Sequence, residues 1–167
     1  MSPLLAALAT GLAVAVSAMP QAPALSTGSD CSILATGVLY QWGYNAPTDT
    51  KDSCCTNSLS QSGKVTCAAD GQTITAMSFP NAGLAGQVPG ALSLLKSLTS
   101  LDISNNPGVT LGLQTLAGLP ALTNLNIAGC GFTGPAIPFP STLTCNLGTS
   151  LCGNPGCKLV NPLPACR

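Results

Sequence analysis

The side chains able to do chemistry in this chain are nine cysteines and five aspartates; histidine and glutamate are absent. Without imidazole, neither a Ser-His nucleophile pair nor a zinc-imidazole site can be assembled. Two-carboxylate hydrolysis would need Asp alone, and Asp30, Asp49, Asp52, Asp70 and Asp102 are scattered along the chain. Gly83, Gly86 and Gly90 belong to turns of a repeat and not to a phosphate loop following a strand. The expectation is a protein that is not an enzyme, with no cofactor and no metal site. Charged residues make up 6% of the chain, against about 25% in an average domain. With five basic and five acidic residues the net charge is zero, so no long-range field draws nucleic acid or an anionic membrane.

The chemistry left to the cysteines is cross-linking, and that depends on the compartment. Leu4 to Ala18 is an unbroken apolar or small stretch of 15 residues ending in Val16-Ser17-Ala18, a small-x-small pattern. A membrane span needs about 20 apolar residues, so residues 1–18 read as a signal peptide. No second apolar stretch approaches spanning length, which predicts a secreted, extracellular protein with no membrane span in its mature form. Its cysteines should then pair. Met19 to Asp30 lacks apolar periodicity and reads as a flexible leader.

Cross-links need elements to hold them in place. Leu34, Val38 and Trp42 recur every four residues after the capping candidates Ser29 and Asp30, predicting a short helix from about Cys31 to Gln41, with Gly37 as its weak point. Trp42, Tyr40 and Tyr44 cluster beside it, with core packing as their expected role. Asn45 to Gly63 is turn-rich and contains Cys54-Cys55. Adjacent cysteines rarely satisfy disulfide geometry with each other, so each must reach elsewhere. Lys64 to Thr75 predicts a β-hairpin turning at Asp70-Gly71, a dipeptide that tolerates positive φ.

From Ile74 a 24-residue period begins: Ile74-x-x-Met77-x-Phe79, Leu98-x-x-Leu101-x-Ile103 and Leu122-x-x-Leu125-x-Ile127. Leu92, Leu95 and Leu98 are matched by Leu116, Leu119 and Leu122, and Leu84-x-Gly86-x-Val88-Pro89 is echoed at Phe132, Gly134, Ile137 and Pro138 with one extra residue. This is the leucine-rich-repeat signature. It predicts a leucine-rich-repeat solenoid with a short parallel β-sheet on one face and irregular or 3-10 turns on the other. About three repeats occupy 74–140, between an N-terminal cysteine-rich cap at 31–73 and a C-terminal cap at 141–167.

In this register one slot, three residues past the second strand apolar residue, holds Ala82, Asn106 and Cys130 in turn. A side chain there faces inward and donates to backbone carbonyls of neighbouring coils, which an amide does well and a thiol weakly. Cys130 is therefore expected to be a buried thiol standing outside the disulfide set. The competing reading, a reactive or intermolecular cysteine, would need exposure and a nearby cation. The other eight fall into Cys31, Cys54, Cys55 and Cys67 before the repeats and Cys145, Cys152, Cys157 and Cys166 after them. A short solenoid exposes apolar core at both ends, so cross-linked caps are expected to cover it and to decide whether it stays folded.

The stretch from Cys54 to Pro89, CC...GKVTCAADGQTITAMSFPNAGLAGQVP, resembles the N-terminal cap and first repeat of plant-type extracellular leucine-rich-repeat proteins, a group that includes polygalacturonase-inhibiting proteins and receptor-kinase ectodomains. SLCGNP, Ser150 to Pro155, is similar to the C-terminal cap of that family. The resemblance implies pairing of Cys31 with Cys54 and of Cys55 with Cys67, and at the C-terminus of Cys145 with Cys152 and Cys157 with Cys166. The chain departs from the family in having few repeats, no tryptophan between the cysteine pair and Cys67, and no Asn-x-Ser/Thr sequon.

Function is expected on the strand face, where alternation turns Ala76, Ser78 and Pro80, then Ser100, Asp102 and Ser104, then Asn124, Asn126 and Ala128 outward. Ser78, Ser100, Asp102, Ser104, Asn124 and Asn126 are the candidate binding residues, for an extracellular protein or a glycan. A solvated sheet face with no ligand would carry the same residue types. Two function classes stay open: a secreted recognition module, or a structural component of an extracellular matrix or wall or a small secreted cysteine-rich protein with no dedicated ligand site.

Overall fold

The computed structural model describes residues 29–133 and 137–148, together with the backbone of 158–159. The expected signal peptide, most of the leader, and the cap cysteines Cys152, Cys157 and Cys166 lie outside the described residues. Among the described residues no helix is long and apolar enough to cross a membrane.

The chain enters through a helix capped by Ser29, whose hydroxyl accepts the Ser32 N–H at 3.3 Å. Its first turn is α1 (Asp30–Ser32), and it continues as a π-helix over Ile33–Leu39. The wider turn shows in backbone bonds that skip five residues, Tyr40 N–H to Ala35 O and Tyr44 N–H to Leu39 O. Leu34, Val38 and Trp42 are buried, as their spacing demands. Asp30, the other capping candidate, does not cap: its Oδ2 accepts the Ile74 N–H at 2.8 Å, tying the helix to the start of the repeats.

Gly37, the weak point in helix propensity, has a packing reason. A Cβ there would lie 2.7 Å from the Ala91 Cβ on the 3-10 helix Gly90–Leu94. Alanine gains up to about 1 kcal/mol of helix propensity, whereas overpacking costs about 1–3 kcal/mol. Gly37→Ala is therefore expected to lower stability, read as an earlier urea midpoint with unchanged slope; a later midpoint would show that this contact yields easily.

After α2 (Thr50–Ser53) and α3 (Ser58–Gln61), β1 (Val65–Cys67) pairs antiparallel with β2 (Ile74–Ser78). The turn between them is longer than a two-residue hairpin. Asp70 organises it, accepting the Thr73 hydroxyl and the N–H groups of Gln72 and Thr73, while Gly71 takes φ +67°. The Thr73 hydroxyl first, and then those two amides, hold the exposed Asp70 carboxyl below its usual range.

Beyond β2 the sheet is parallel: β4 (Ser100–Asp102), β6 (Asn124–Asn126), β7 (Thr144–Asn146) and β8 (Lys158–Leu159) follow in order. Met77, Leu101, Leu125 and Cys145 stand side by side and point into one continuous buried core. The inward triplets of all three 24-residue units are buried. Two neighbouring turns leave the strands through left-handed residues, Asn81 at φ +49° and Asn105 at φ +57°, and Gly129 occupies the same place in the third at φ +75°. Asparagine tolerates this region better than most residues, and glycine does so freely.

The sheet does not stop at residue 140. The segment expected to be purely a cap supplies β7 and β8, and the step from β6 to β7 is 20 residues, which the 24-residue register did not reveal. The opposite side is also more regular than irregular or 3-10 turns. Besides the 3-10 helix it carries α4 (Leu113–Ala117) and a second sheet, in which β3 (Ala85–Gln87) pairs parallel with β5 (Gly108–Leu111). Gly108 permits that pairing, since a Cβ there would meet the Ala85 Cβ at 2.9 Å and the Leu84 carbonyl at 3.0 Å.

Candidate functional site

The exposed side of the main sheet presents two rows of short polar side chains. Parallel register puts Ala76, Ser100, Asn124 and Thr144 in one row and Ser78, Asp102, Asn126 and Asn146 in the other. Between them lies an open trough of about 290 Å³ floored by Leu101 and Leu125, with Ser100, Asp102, Asn124, Asn126, Thr144 and Asn146 around it. Of the sequence-predicted residues, Ser100, Asp102, Asn124 and Asn126 meet at this trough, and Ser78 extends the second row by one strand.

Ser104 does not belong there. It is 6% exposed, because the chain has already left the strand and turns through Asn105. Its N–H donates to Asp102 Oδ1 at 2.9 Å and its carbonyl accepts from Asn81 N and the Asn106 amide. Strict alternation carried the outward pattern two residues past the end of the three-residue strand.

The trough is held by bonds that repeat with the period of the chain. Asn126 Nδ2 donates to Asp102 Oδ2 at 3.0 Å across 24 residues, and Asn126 Oδ1 accepts the Ala128 N–H at 3.3 Å. Asp102 is thereby fixed by two donors. Asn124 Nδ2 donates to Thr123 Oγ1 at 3.1 Å. A threonine rail borders the face: Thr99 Oγ1 donates to Thr75 O at 2.9 Å and Thr123 Oγ1 to Thr99 O at 3.0 Å. Thr75, Thr99 and Thr123 lie 24 residues apart, so this rail was legible in the sequence once polar as well as apolar positions are compared between units. Thr144 and Asn146 were not, because they come after the change of period.

Beneath the face, Asn106 is fully buried and satisfies five backbone groups. Its Nδ2 donates to the carbonyls of Phe79, Ile103 and Ser104, and its Oδ1 accepts the N–H groups of Ala82 and Leu84, all within 2.8–3.2 Å. Cys130 occupies the equivalent slot one unit later. It is 2% exposed, and its thiol donates to Ile103 O at 3.1 Å, across the same 27-residue separation as the Asn106 to Phe79 bond. Burial pushes the Cys130 thiol above its ordinary value; the Asn106 backbone N–H on the sulfur opposes this and Asp102 adds to it. Native Cys130 is therefore expected to react with iodoacetamide at neutral pH at least about tenfold more slowly than in the urea-unfolded chain. Equal rates in the two states would refute a protected thiol.

The N-terminal cap is closed by Cys31–Cys54 and Cys55–Cys67, the two pairings the resemblance implies. The sulfurs of Cys31, Cys54 and Cys55 lie within 4.8 Å of one another because the two bridges stand side by side. Bonded sulfurs have no thiolate to offer a metal. Cys145 is buried beneath the face and disulfide-bonded; Cys152, implied as its partner, lies outside the described residues. In the aromatic cluster, Trp42 is buried and Tyr44 packs edge-on against Phe79 at 5.1 Å. Tyr40 departs from the expected core role: it is 79% exposed and lines a depression of about 340 Å³ on the cap with Thr36, Asn45, Thr48 and Lys51. The π-helical turn that follows Ala35 shifts the angular register and carries this tyrosine off the buried stripe.

No protein-family model matches the chain. Among solved structures it is similar to the crystal structure of the BIR3–SERK2 complex from Arabidopsis thaliana, at 23% identity and a TM-score of 0.46, covering 72% of this chain. The chain spans 61% of the length of the chain it matches there.

Proposed function

We propose that this protein is a secreted, non-enzymatic recognition module of the leucine-rich-repeat type, engaging a protein or cell-surface glycan through the exposed strand face. One observation carries the reading: three parallel strands align serine, threonine and asparagine groups around a trough, with Asp102 and Asn126 locked in place from within the sheet. Groups fixed before a ligand arrives lose little conformational freedom on binding, which favours affinity. The disulfides suit an oxidising, extracellular compartment, and the apolar stretch from Leu4 to Ala18 supplies a route of export.

The competing reading is a structural component of an extracellular matrix or wall, in which the face is merely solvated. Asp102→Ala, Asn124→Ala and Asn126→Ala in one variant separate the two. Recognition predicts loss of a captured extracellular partner, tenfold or more, measured well below a thermal midpoint that itself falls by about 10 °C, since the four side-chain hydrogen bonds removed contribute about 1 kcal/mol each. Undiminished capture by the triple variant would remove the strand face from the function.

A further inference from the structure

The recognition face does not begin at the first repeat. Strand β1 belongs to the N-terminal cap, yet it pairs with β2 on the same sheet, with Val65 opposite Met77 and Thr66 opposite Ala76. Val65 and Met77 are both buried, so the alternate residues turn outward. Thr66 therefore continues the row of Ala76, Ser100, Asn124 and Thr144. One step earlier, the Lys64 carbonyl accepts the Ser78 N–H at 2.8 Å, which sets Lys64 opposite Ser78 and at the head of the row that runs through Asp102, Asn126 and Asn146.

Among the described side chains, Lys64 and Asp102 are the only charged groups on this face. They share one row and are separated by the single strand carrying Ser78, and two strand spacings amount to about 10 Å. Neither is neutralised by the other at that distance. Asp102 keeps capacity to accept more bonds, since a carboxylate has about four lone-pair sites and only two donors reach it. Of the other described side chains, Lys51 pairs with Asp52 on the cap, Asp49 accepts from Ser53 and Asn57 there, Asp30 binds Ile74 N, Asp70 holds the hairpin turn and Lys96 lies in the turn before β4; the backbone of Lys158 pairs with Thr144 at the far edge of the sheet from Lys64. The chain's six aromatic residues are also off the face. Trp42, Phe79, Phe132 and Phe139 are buried, Tyr44 packs against Phe79, and Tyr40 is on the cap, so nothing there can stack on a sugar ring.

We infer that β1 extends the recognition face and that its ligand is a peptide segment with opposite charges about 10 Å apart, acidic over Lys64 and basic over Asp102. This rests on the strand-face reading and names its ligand class. The uncharged Ser78 spaces the two charges, and the amide and hydroxyl groups of Asn124, Thr144 and Asn146 meet the backbone beyond them. An extended chain covers that span in about three residues.

The test is an array of immobilised 12-residue peptides, each with one acidic and one basic residue at varied separation and order, probed with the oxidised protein at low salt. Capture is expected to peak when the charges are about three residues apart. Asp102→Asn keeps an oxygen for Ser104 N and removes the charge; it should weaken capture about two- to fivefold and abolish the preference for a basic residue. Lys64→Glu, which leaves the backbone bond to the Ser78 N–H in place, should switch the preferred partner at that end from acidic to basic. If peptides are captured, and capture falls with Asn124→Ala and Asn126→Ala but ignores both charge variants, the charged extension is wrong and the strand-face reading stands. If no peptide is captured while a glycan array binds in an Asn126-dependent way, the ligand class is wrong. Failure of both arrays overturns this inference and the recognition reading together.

Discussion

Complete reduction is expected to abolish the cooperative thermal unfolding of this protein. Cys31–Cys54 closes a separation of 23 residues and Cys55–Cys67 one of 12. In the chain-entropy model each contributes about 3 kcal/mol, and whole domains are stable by only about 5–15 kcal/mol. Three repeats is also about the least that such an array needs. The bridges matter beyond entropy, because they hold the cap helix over the first repeat: Leu34, Val38 and Trp42 share one buried cluster with Ile74 and Phe79. Cys31→Ala with Cys54→Ala should by itself lower the midpoint by about 10 °C. Calorimetry with and without a phosphine reductant reads both effects. A reduced protein melting within a few degrees of the oxidised one would mean that the apolar core alone suffices.

The second large effect is expected at Asn106. Replacing it by alanine leaves the N–H groups of Ala82 and Leu84 and the carbonyls of Phe79 and Ile103 without their side-chain partner. An unsatisfied buried group costs about 1–3 kcal/mol. Water entering the space recovers part of this, so a net loss of about 3–5 kcal/mol is expected in urea unfolding. Asn106→Cys should lose less, because Cys130 shows that a thiol in this slot still reaches a carbonyl 27 residues back and accepts the backbone N–H of Asn106 on the preceding coil. If Asn106→Ala cost under about 1 kcal/mol, or Asn106→Cys cost as much as alanine, the slot would be mere filler.

The same chemistry gives Cys130 a pH signature. Its folded value is raised, so between the ordinary thiol range and that higher value the unfolded chain releases a proton that the folded chain keeps. This contribution to stability is present at neutral pH and is lost as pH rises above the ordinary thiol range. The Asp70 carboxyl works in the opposite direction: its value is lowered, so what it contributes is present above the usual carboxylate range and is lost as pH falls through the folded value.

The amino-acid sequence by itself determined the repeating unit. Apolar side chains every 24 residues must share one interior, and Met77, Leu101 and Leu125 do stand side by side. It also identified the slot shared by Asn106 and Cys130, since an inward polar atom there has only backbone groups to bond. What it did not contain was where each strand ends. Ser104 looked outward by alternation, but the strand ends at Asp102 and Ser104 already belongs to the turn that Asn105 completes. Nor did it contain Thr144 and Asn146 on the face, because the period shortens to 20 and a disulfide-bonded Cys145 takes the place that Leu101 and Leu125 hold in the preceding strands. Gly37 against Ala91, the approach of β3 to β5 at Gly108, and Lys64 opposite Ser78 are contacts between segments far apart in the chain. Local periodicity specifies which side of an element is buried; only packing decides which elements meet, and the strand face proposed for recognition is made by that meeting.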